Sequence, residues 1–317
     1  MYIEQGHRGD LKLWKYLFIP LGFIGFMVFN YIAVLLSDEP VDVMMNQLIE
    51  LIGKNAVLAI NLGFLAIGLF VVLGWTKLVH PQSITSLTTS RKKVDWGRIF
   101  TSFFIWGTIT TVFTLISVYY IAPEEYVNNF DTTKFLILLP IAVILVPLQT
   151  SFEEYLFRGY MMQGLGIWAK NKWLPLVVTS VLFGLMHIAN PEIGKIGYIL
   201  LVYYIGTGFF LGIMTLMDEG LELALGFHAA NNLFGVLLVT YDWGALQADA
   251  IFRNIAIVEG AILSEILVPV FVVFPILLFI FSRLYKWTNW KERLFGKVKD
   301  KEEFLALENG DSPKIQA

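Results

Sequence analysis

The chain has no cysteine among its 317 residues, which removes disulfides, thiolate metal sites and cysteine nucleophiles together. Any nucleophile must be a hydroxyl, a carboxylate or an activated water. Charge is also scarce. Asp, Glu, Lys and Arg make up 15% of the residues, against about 25% in soluble globular domains, while apolar residues reach 56%. At about 150 residues per domain the length allows two soluble domains, but too few charges remain to cover their water-facing surfaces. The net charge of -3 offers no basic surface for nucleic acid, so the placement of charge matters more than its sum. The sequence also lacks an H-E-x-x-H pair, a G-x-S-x-G elbow and a pair of Asp residues inside apolar runs. Three familiar protease chemistries are therefore missing their parts.

What is abundant is apolar sequence in runs of about 20 residues, enough to cross about 30 Å of hydrocarbon at about 1.5 Å per residue. Eight such runs are expected as spans: Tyr16–Leu36, Ala56–Val79, Ile99–Ile121, Phe135–Leu156, Leu174–Ala189, Tyr198–Met217, Leu221–Thr240 and Ala261–Ser282. Pro140, Pro147, Pro269 and Pro275 fall inside two of them, which bundled membrane helices tolerate because neighbours satisfy the freed carbonyls. The first run is longer than the core of a signal peptide and no A-x-A-like site follows it, so it reads as a retained span. With the N-terminus placed inside, 19 of the 23 Lys and Arg fall in cytoplasmic segments, leaving only Lys54, Lys134, Lys195 and Arg253 outside. The expected fold is all-α, a polytopic transmembrane helical bundle with about eight spans and both termini cytoplasmic, in the cell (inner) membrane. One membrane domain over residues 1–285 precedes a charged cytoplasmic tail over 286–317, in which Lys297–Glu303 reads as a solvated helix or a disordered end.

An ionisable residue at the bilayer centre costs about 2.5–3.5 kcal/mol on insertion scales, so each one needs a reason. Glu265 in the eighth run is solitary; the others gather in the second half as Glu153, Glu154, Arg158, His187, His228, Asn231 and Asn232. On a helix, Glu154 and Arg158 stand four apart and meet on one face as an ion pair. Glu153 points about 100° away, free to act as a general base. His228 and Asn232, one turn apart, offer a ring nitrogen and an amide to a common point. His187 follows Phe183 by one turn, with Gly184 permitting close helix approach. His7 and His80 lie in basic segments and attract no function. Two carboxylates and two imidazoles suit a hydrolase that activates water, or a metal site such as zinc held by Glu153, His187 and His228. Two other readings are an ion- or proton-coupled transporter, for which no inverted repeat is evident, and a catalytically silent membrane scaffold. The depths conflict: Glu153 lies near one end of its run while His187 lies about 20 Å along its own. They meet if the fourth helix runs on past Arg158 toward Met162, the favoured reading, or if the fifth begins below the membrane surface near Trp173.

These residues resemble the CAAX prenyl protease and bacteriocin-processing family (CPBP, or Abi) of intramembrane proteases. Its pattern is E-E-x-x-x-R, then F-x-x-x-H, then H-x-x-x-N or D. Here the three boxes are Glu153 to Arg158, Phe183 to His187 and His228 to Asn232, within residues 152–233. The resemblance implies cleavage of a membrane-associated peptide or protein substrate, lipidated ones included, in contact with the lipid bilayer. It implies that Glu153 and His187 activate water, that His228 and Asn232 stabilise the oxyanion, and that Glu154 and Arg158 support them. Both a divalent metal such as zinc and a metal-free glutamate mechanism remain open.

Overall fold

Backbone groups in hydrocarbon must find partners within their own segment, so long uncharged apolar runs become helices. In the computed structural model, which describes residues 1–256 and 263–309, they do. In chain order the helices are α1 (Leu13–Leu35), α2 (Val41–Ile52), α3 (Lys54–Leu78), α4 (Ile84–Thr88) and α5 (Trp96–Ile116). Then come α6 (Thr132–Glu154), α7 (Met162–Ala169), α8 (Trp173–Leu185), α9 (Pro191–Ile196) and α10 (Leu201–Asp218). The last are α11 (Glu222–Leu238), α12 (Leu263–Val268), α13 (Phe274–Leu284), α14 (Trp290–Phe295) and α15 (Lys301–Asn309). A π-helical stretch over Tyr155–Met161 joins α6 to α7, giving one uninterrupted helix of 38 residues, and a second over Pro269–Val273 joins α12 to α13.

Six of these helices are long and apolar enough to cross a membrane: Trp14–Leu35, Lys54–Leu78, Trp96–Ile121, Thr132–Ala169, Tyr198–Asp218 and Leu263–Leu284. They match six of the eight expected spans, although the expected start of the last, at Ala261, lies outside the described residues, as do residues 310–317 of the tail. The other two are shorter. α8 has 13 residues and stops at Leu185, where the chain closes into tight turns ahead of Asn190-Pro191, a step that disfavours helix. α11 has 17 residues and carries Glu222, His228, Asn231 and Asn232. It is wrapped by neighbours, with Leu223, Ala224, Phe227 and Ala230 all buried, and so needs no lipid-facing apolar surface.

α11 packs on α5 and α6, α3 on the other side of α6, and α8 on α10. Small residues set the spacing. A Cβ at Gly226 would lie 2.0 Å from the Ile99 carbonyl of α5, and one at Gly208 would lie 2.5 Å from the Ser180 carbonyl of α8. The outward faces are a belt of large apolar side chains, such as Phe18, Phe70, Phe104 and Phe279, all more than half exposed. A belt of that size marks a surface meant for lipid.

One end of the bundle departs from an all-helical fold. Three short strands, β1 (Tyr126–Asn128), β2 (Val239–Tyr241) and β3 (Phe252–Asn254), form a sheet in the order β1-β3-β2, with β1 antiparallel and β2 parallel to β3. It pairs the backbone groups of loops that no helix satisfies. The opposite end is more ordered than its charge suggests. Tyr2 is buried, and its hydroxyl lies 2.7 Å from the Leu87 carbonyl and 3.1 Å from that of Arg158. His80 is fully buried with both ring nitrogens engaged, Nδ1 on the Asp10 carbonyl at 2.8 Å and Nε2 on the Tyr160 hydroxyl at 2.6 Å. Burial pushes its imidazole below the usual histidine value, opposed by the bond to Asp10. The tail docks here too. Lys297, Lys301 and Glu302 are exposed as expected, but Val298 and Phe304 are buried, with Phe304 under Arg8, whose guanidinium pairs with Glu308 at 2.5 Å. The stretch leads into a helix with a solvated charged face, as one of the two expectations had it, but it is also docked: Phe304 is covered by the N-terminal segment, and the Val298 amide bonds to the Lys170 carbonyl.

Candidate active site

The conflict in depth is resolved by the length of the fourth helix. At about 1.5 Å per residue its 38 residues reach well beyond the hydrocarbon thickness, so Glu153 lies inside the bundle rather than at a frayed end. Glu153, Glu154 and Arg158 are each at most 2% exposed. The ion pair read from the four-residue spacing is present, with Arg158 Nη1 3.0 Å from Glu154 Oε1. Arg158 also donates to the Gly208 carbonyl at 3.0 Å, and its guanidinium lies 4.1 Å from the centre of the Phe183 ring. That contact accounts for Phe183: its ring face receives the cation.

His228 enters from α11 and bridges the two carboxylates. Its Nδ1 donates to Glu154 Oε1 at 2.8 Å, which leaves Nε2 facing Glu153 Oε2 at 3.5 Å. That separation is longer than the 2.7–2.9 Å or so of a charge-assisted hydrogen bond. Glu153 Oε2 is buried and has no hydrogen-bond partner.

Asn232 reaches the site indirectly. Its Nδ2 donates to Gln149 Oε1 at 3.1 Å, and Gln149 Nε2 donates to Glu153 Oε1 at 2.5 Å. Gln149 is the residue that sequence reading missed, though the signal was available: it precedes Glu153 by four, the same spacing that pairs Glu154 with Arg158. His187 stands apart. Its Nδ1 donates to the Phe183 carbonyl at 3.0 Å, leaving Nε2 free, and its ring stacks on Tyr204 with centres 4.0 Å apart. The Phe183 ring lies between the two imidazoles, 5.3 Å from His187 and 5.8 Å from His228, centre to centre. The structure thus gathers Glu153, Glu154, Arg158 and His228 in direct contact, Asn232 through Gln149, and His187 across Phe183. Tyr204 had no sequence signal, since one Tyr among 13 is unremarkable until its face is seen.

The same geometry tests the metal reading. A zinc site needs at least three protein donors converging on one point. Among the described residues no group of three or more His, Asp or Glu is placed to hold a metal ion. Glu153 and His228 share a point, but the free nitrogen of His187 is not brought to it. The expected set of Glu153, His187 and His228 is therefore not assembled as a ligand set, because His187 is anchored to its own helix and to Tyr204.

Residues 132–234 match the family described as type II CAAX prenyl endopeptidase, Rce1-like. The chain is also similar to the uncharacterized protein YyaK of Bacillus subtilis, 32% identical over 241 residues that cover 74% of this chain and 80% of YyaK. No solved structure matches it significantly.

Proposed function

The chain belongs to the type II CAAX prenyl endopeptidase, Rce1-like, family, and from that premise we propose that it is an intramembrane endopeptidase in which Glu153 activates water. The observation that carries this reading is an open carboxylate oxygen, Glu153 Oε2, buried beside His228 Nε2 in a cluster where Glu154 Oε2 and Arg158 Nε are open as well. Water bound there loses a proton to Glu153 as its oxygen attacks the peptide carbonyl carbon. The carbonyl oxygen takes up the electron pair and is met by His228 Nε2–H and the remaining Asn232 amide proton. Fixed donors at a developing oxyanion contribute about 3–4 kcal/mol in a site that excludes water. Glu154 and Arg158 hold His228 with Nδ1 turned away, so that Nε2 faces the reaction. As the intermediate collapses, Glu153 returns its proton to the departing amine, leaving a new acid and a new amine with Glu153 unchanged. His187, against the same Phe183 ring as His228, positions the water or the peptide through its free Nε2.

The substrate is a membrane-associated peptide or protein, and the family's description makes a prenylated C-terminal peptide the first one to try. Both termini face the cytoplasm in this reading, which the distribution of Lys and Arg supports. The test compares the membrane peptidomes of cells expressing wild type, Glu153→Gln, His187→Ala and His228→Ala at matched protein levels. New peptide ends present with wild type and lost in the variants are expected. Indistinguishable peptide ends in all four strains would remove the support for proteolysis.

A further inference from the structure

Glu153 does not stand alone at its end of a helix; it terminates a chain of hydrogen bonds that crosses three helices. Trp106 of α5 donates its indole Nε1–H to Asn231 Oδ1 at 3.0 Å. Asn231 Nδ2 donates to Asn232 Oδ1 at 3.0 Å, and Asn232 Nδ2 to Gln149 Oε1 at 3.1 Å. Gln149 Nε2 then donates to Glu153 Oε1 at 2.5 Å.

The direction of every link is forced. An indole nitrogen donates and never accepts, so the end of Asn231 that faces it must be the oxygen. That turns the Asn231 amide nitrogen to Asn232, which must answer with its oxygen and pass its own nitrogen to Gln149. By the same logic Gln149 presents its nitrogen to Glu153. An ionised carboxylate only accepts, so the last link suits the group that receives it. Turning over any one of the three amides would set N–H against N–H or oxygen against oxygen, in half-buried places at Asn231 and Asn232 and in a buried one at Gln149, where an unmet polar group costs most.

We propose that Gln149 is the positioning residue of the site, and that the one-way chain from Trp106 through Asn231, Asn232 and Gln149 locks the Glu153 carboxylate with Oε1 held and Oε2 presented. This rests on the reading of Glu153 as the base. It adds a distinct claim, that an indole on a helix bearing none of the three sequence boxes sets the orientation of that base. Without the chain, the carboxylate rotates about its last torsion and offers either oxygen to the side facing His228 Nε2.

The test uses the full chain with two shape-conserving variants, Gln149→Leu and Trp106→Phe, and their combination. Two readouts are taken: the thermal unfolding temperature of purified protein in detergent micelles, and the rate at which new peptide ends appear in native membranes per folded enzyme. The chain predicts coupling in both. Gln149→Leu lowers the rate by about 30-fold and Trp106→Phe by about 3-fold, and the double variant is no slower than Gln149→Leu alone. The unfolding temperature of the double variant likewise falls by less than the sum of the two single shifts. Independent, additive shifts in unfolding temperature would overturn the chain, whatever the protease assay gives. Coupled unfolding shifts with an unchanged rate in Gln149→Leu would overturn the positioning role while leaving the protease reading intact. No new peptide ends from wild type would overturn that reading and the catalytic half of the proposal, with the unfolding cycle still deciding whether the chain exists.

Discussion

Two regions of this molecule bury ionisable groups, and they treat them differently. At the junction of α10 and α11, Asp218 and Glu222 are each at most 3% exposed, yet all four of their carboxylate oxygens have partners. Asp218 is met by Arg91, Arg98 and the Trp287 indole, and Glu222 by Arg91 and the Asp95 amide. In the candidate site Glu153 and Glu154 are buried as deeply, but one oxygen of each has no hydrogen-bond partner, and neither does Arg158 Nε. Desolvating a carboxylate is costly, and full pairing is how a fold offsets that cost. A cluster that leaves part of this capacity unused gives up stability for the ability to bind something else. The junction is built to hold helices together, and in the proposed reading the site keeps its open positions for a reactant.

The largest expected effect separates the two most sharply. Arg158→Met leaves Glu154 buried with His228 alone, and a buried pair broken on one side costs about 3–5 kcal/mol. Thermal unfolding of the full chain in micelles, with folded yield, reads this loss. Retention of wild-type stability would mean that the site relaxes more easily than its burial implies. Asp218→Asn is expected to cost less, about 1–2 kcal/mol, because Arg91 and Arg98 are partly exposed and keep Glu222 and Asp95 as partners. Its rate of peptide cleavage per folded enzyme should equal that of wild type. A tenfold fall in rate without unfolding would erase the contrast between the two regions.

The smallest effect is a pH dependence at the same end of the bundle. His80 is held neutral by burial, and its folded-state value is depressed. A base shifted in this direction contributes stability that is full above its unfolded value, about 6.5, and lost as pH falls below it. The unfolding temperature of wild type should therefore drop between pH 7.5 and pH 5.5 by more than that of His80→Gln, as followed by the same thermal scan. Equal drops would place the acid sensitivity elsewhere.

The site was more legible in the sequence than the fold around it. Charged residues inside apolar runs announce themselves, and the spacing of Glu154 and Arg158 gave the pair that the structure contains. The continuation of the fourth helix past Arg158 was legible as one of two ways to reconcile the depths; the other was a fifth segment beginning near Trp173, which is where α8 starts. His80 was not legible: its partners are the Asp10 carbonyl and the Tyr160 hydroxyl, remote in sequence and without a motif. The short sheet was invisible for a related reason, since three-residue strands carry no period to detect. The docking of the tail depends on two apolar residues, Val298 and Phe304, in a stretch whose charges dominate any reading by composition. The missing convergence of His187 on Glu153 depends on the end of α8 at Leu185, which leaves His187 in the following turn, and residue spacing along a helix does not encode that.

The central claim is that Glu153 is the base that activates water. Its most direct test is the rate at which purified wild type and Glu153→Gln, reconstituted in the same vesicles and matched in unfolding temperature, cut a peptide identified by the peptidome comparison. The account predicts that the substitution leaves the fold intact and lowers the rate by about 10³-fold, within the range ascribed to a positioned general base. A Glu153→Gln enzyme that cuts within about threefold of the wild-type rate, less than 1 kcal/mol in barrier, would contradict it.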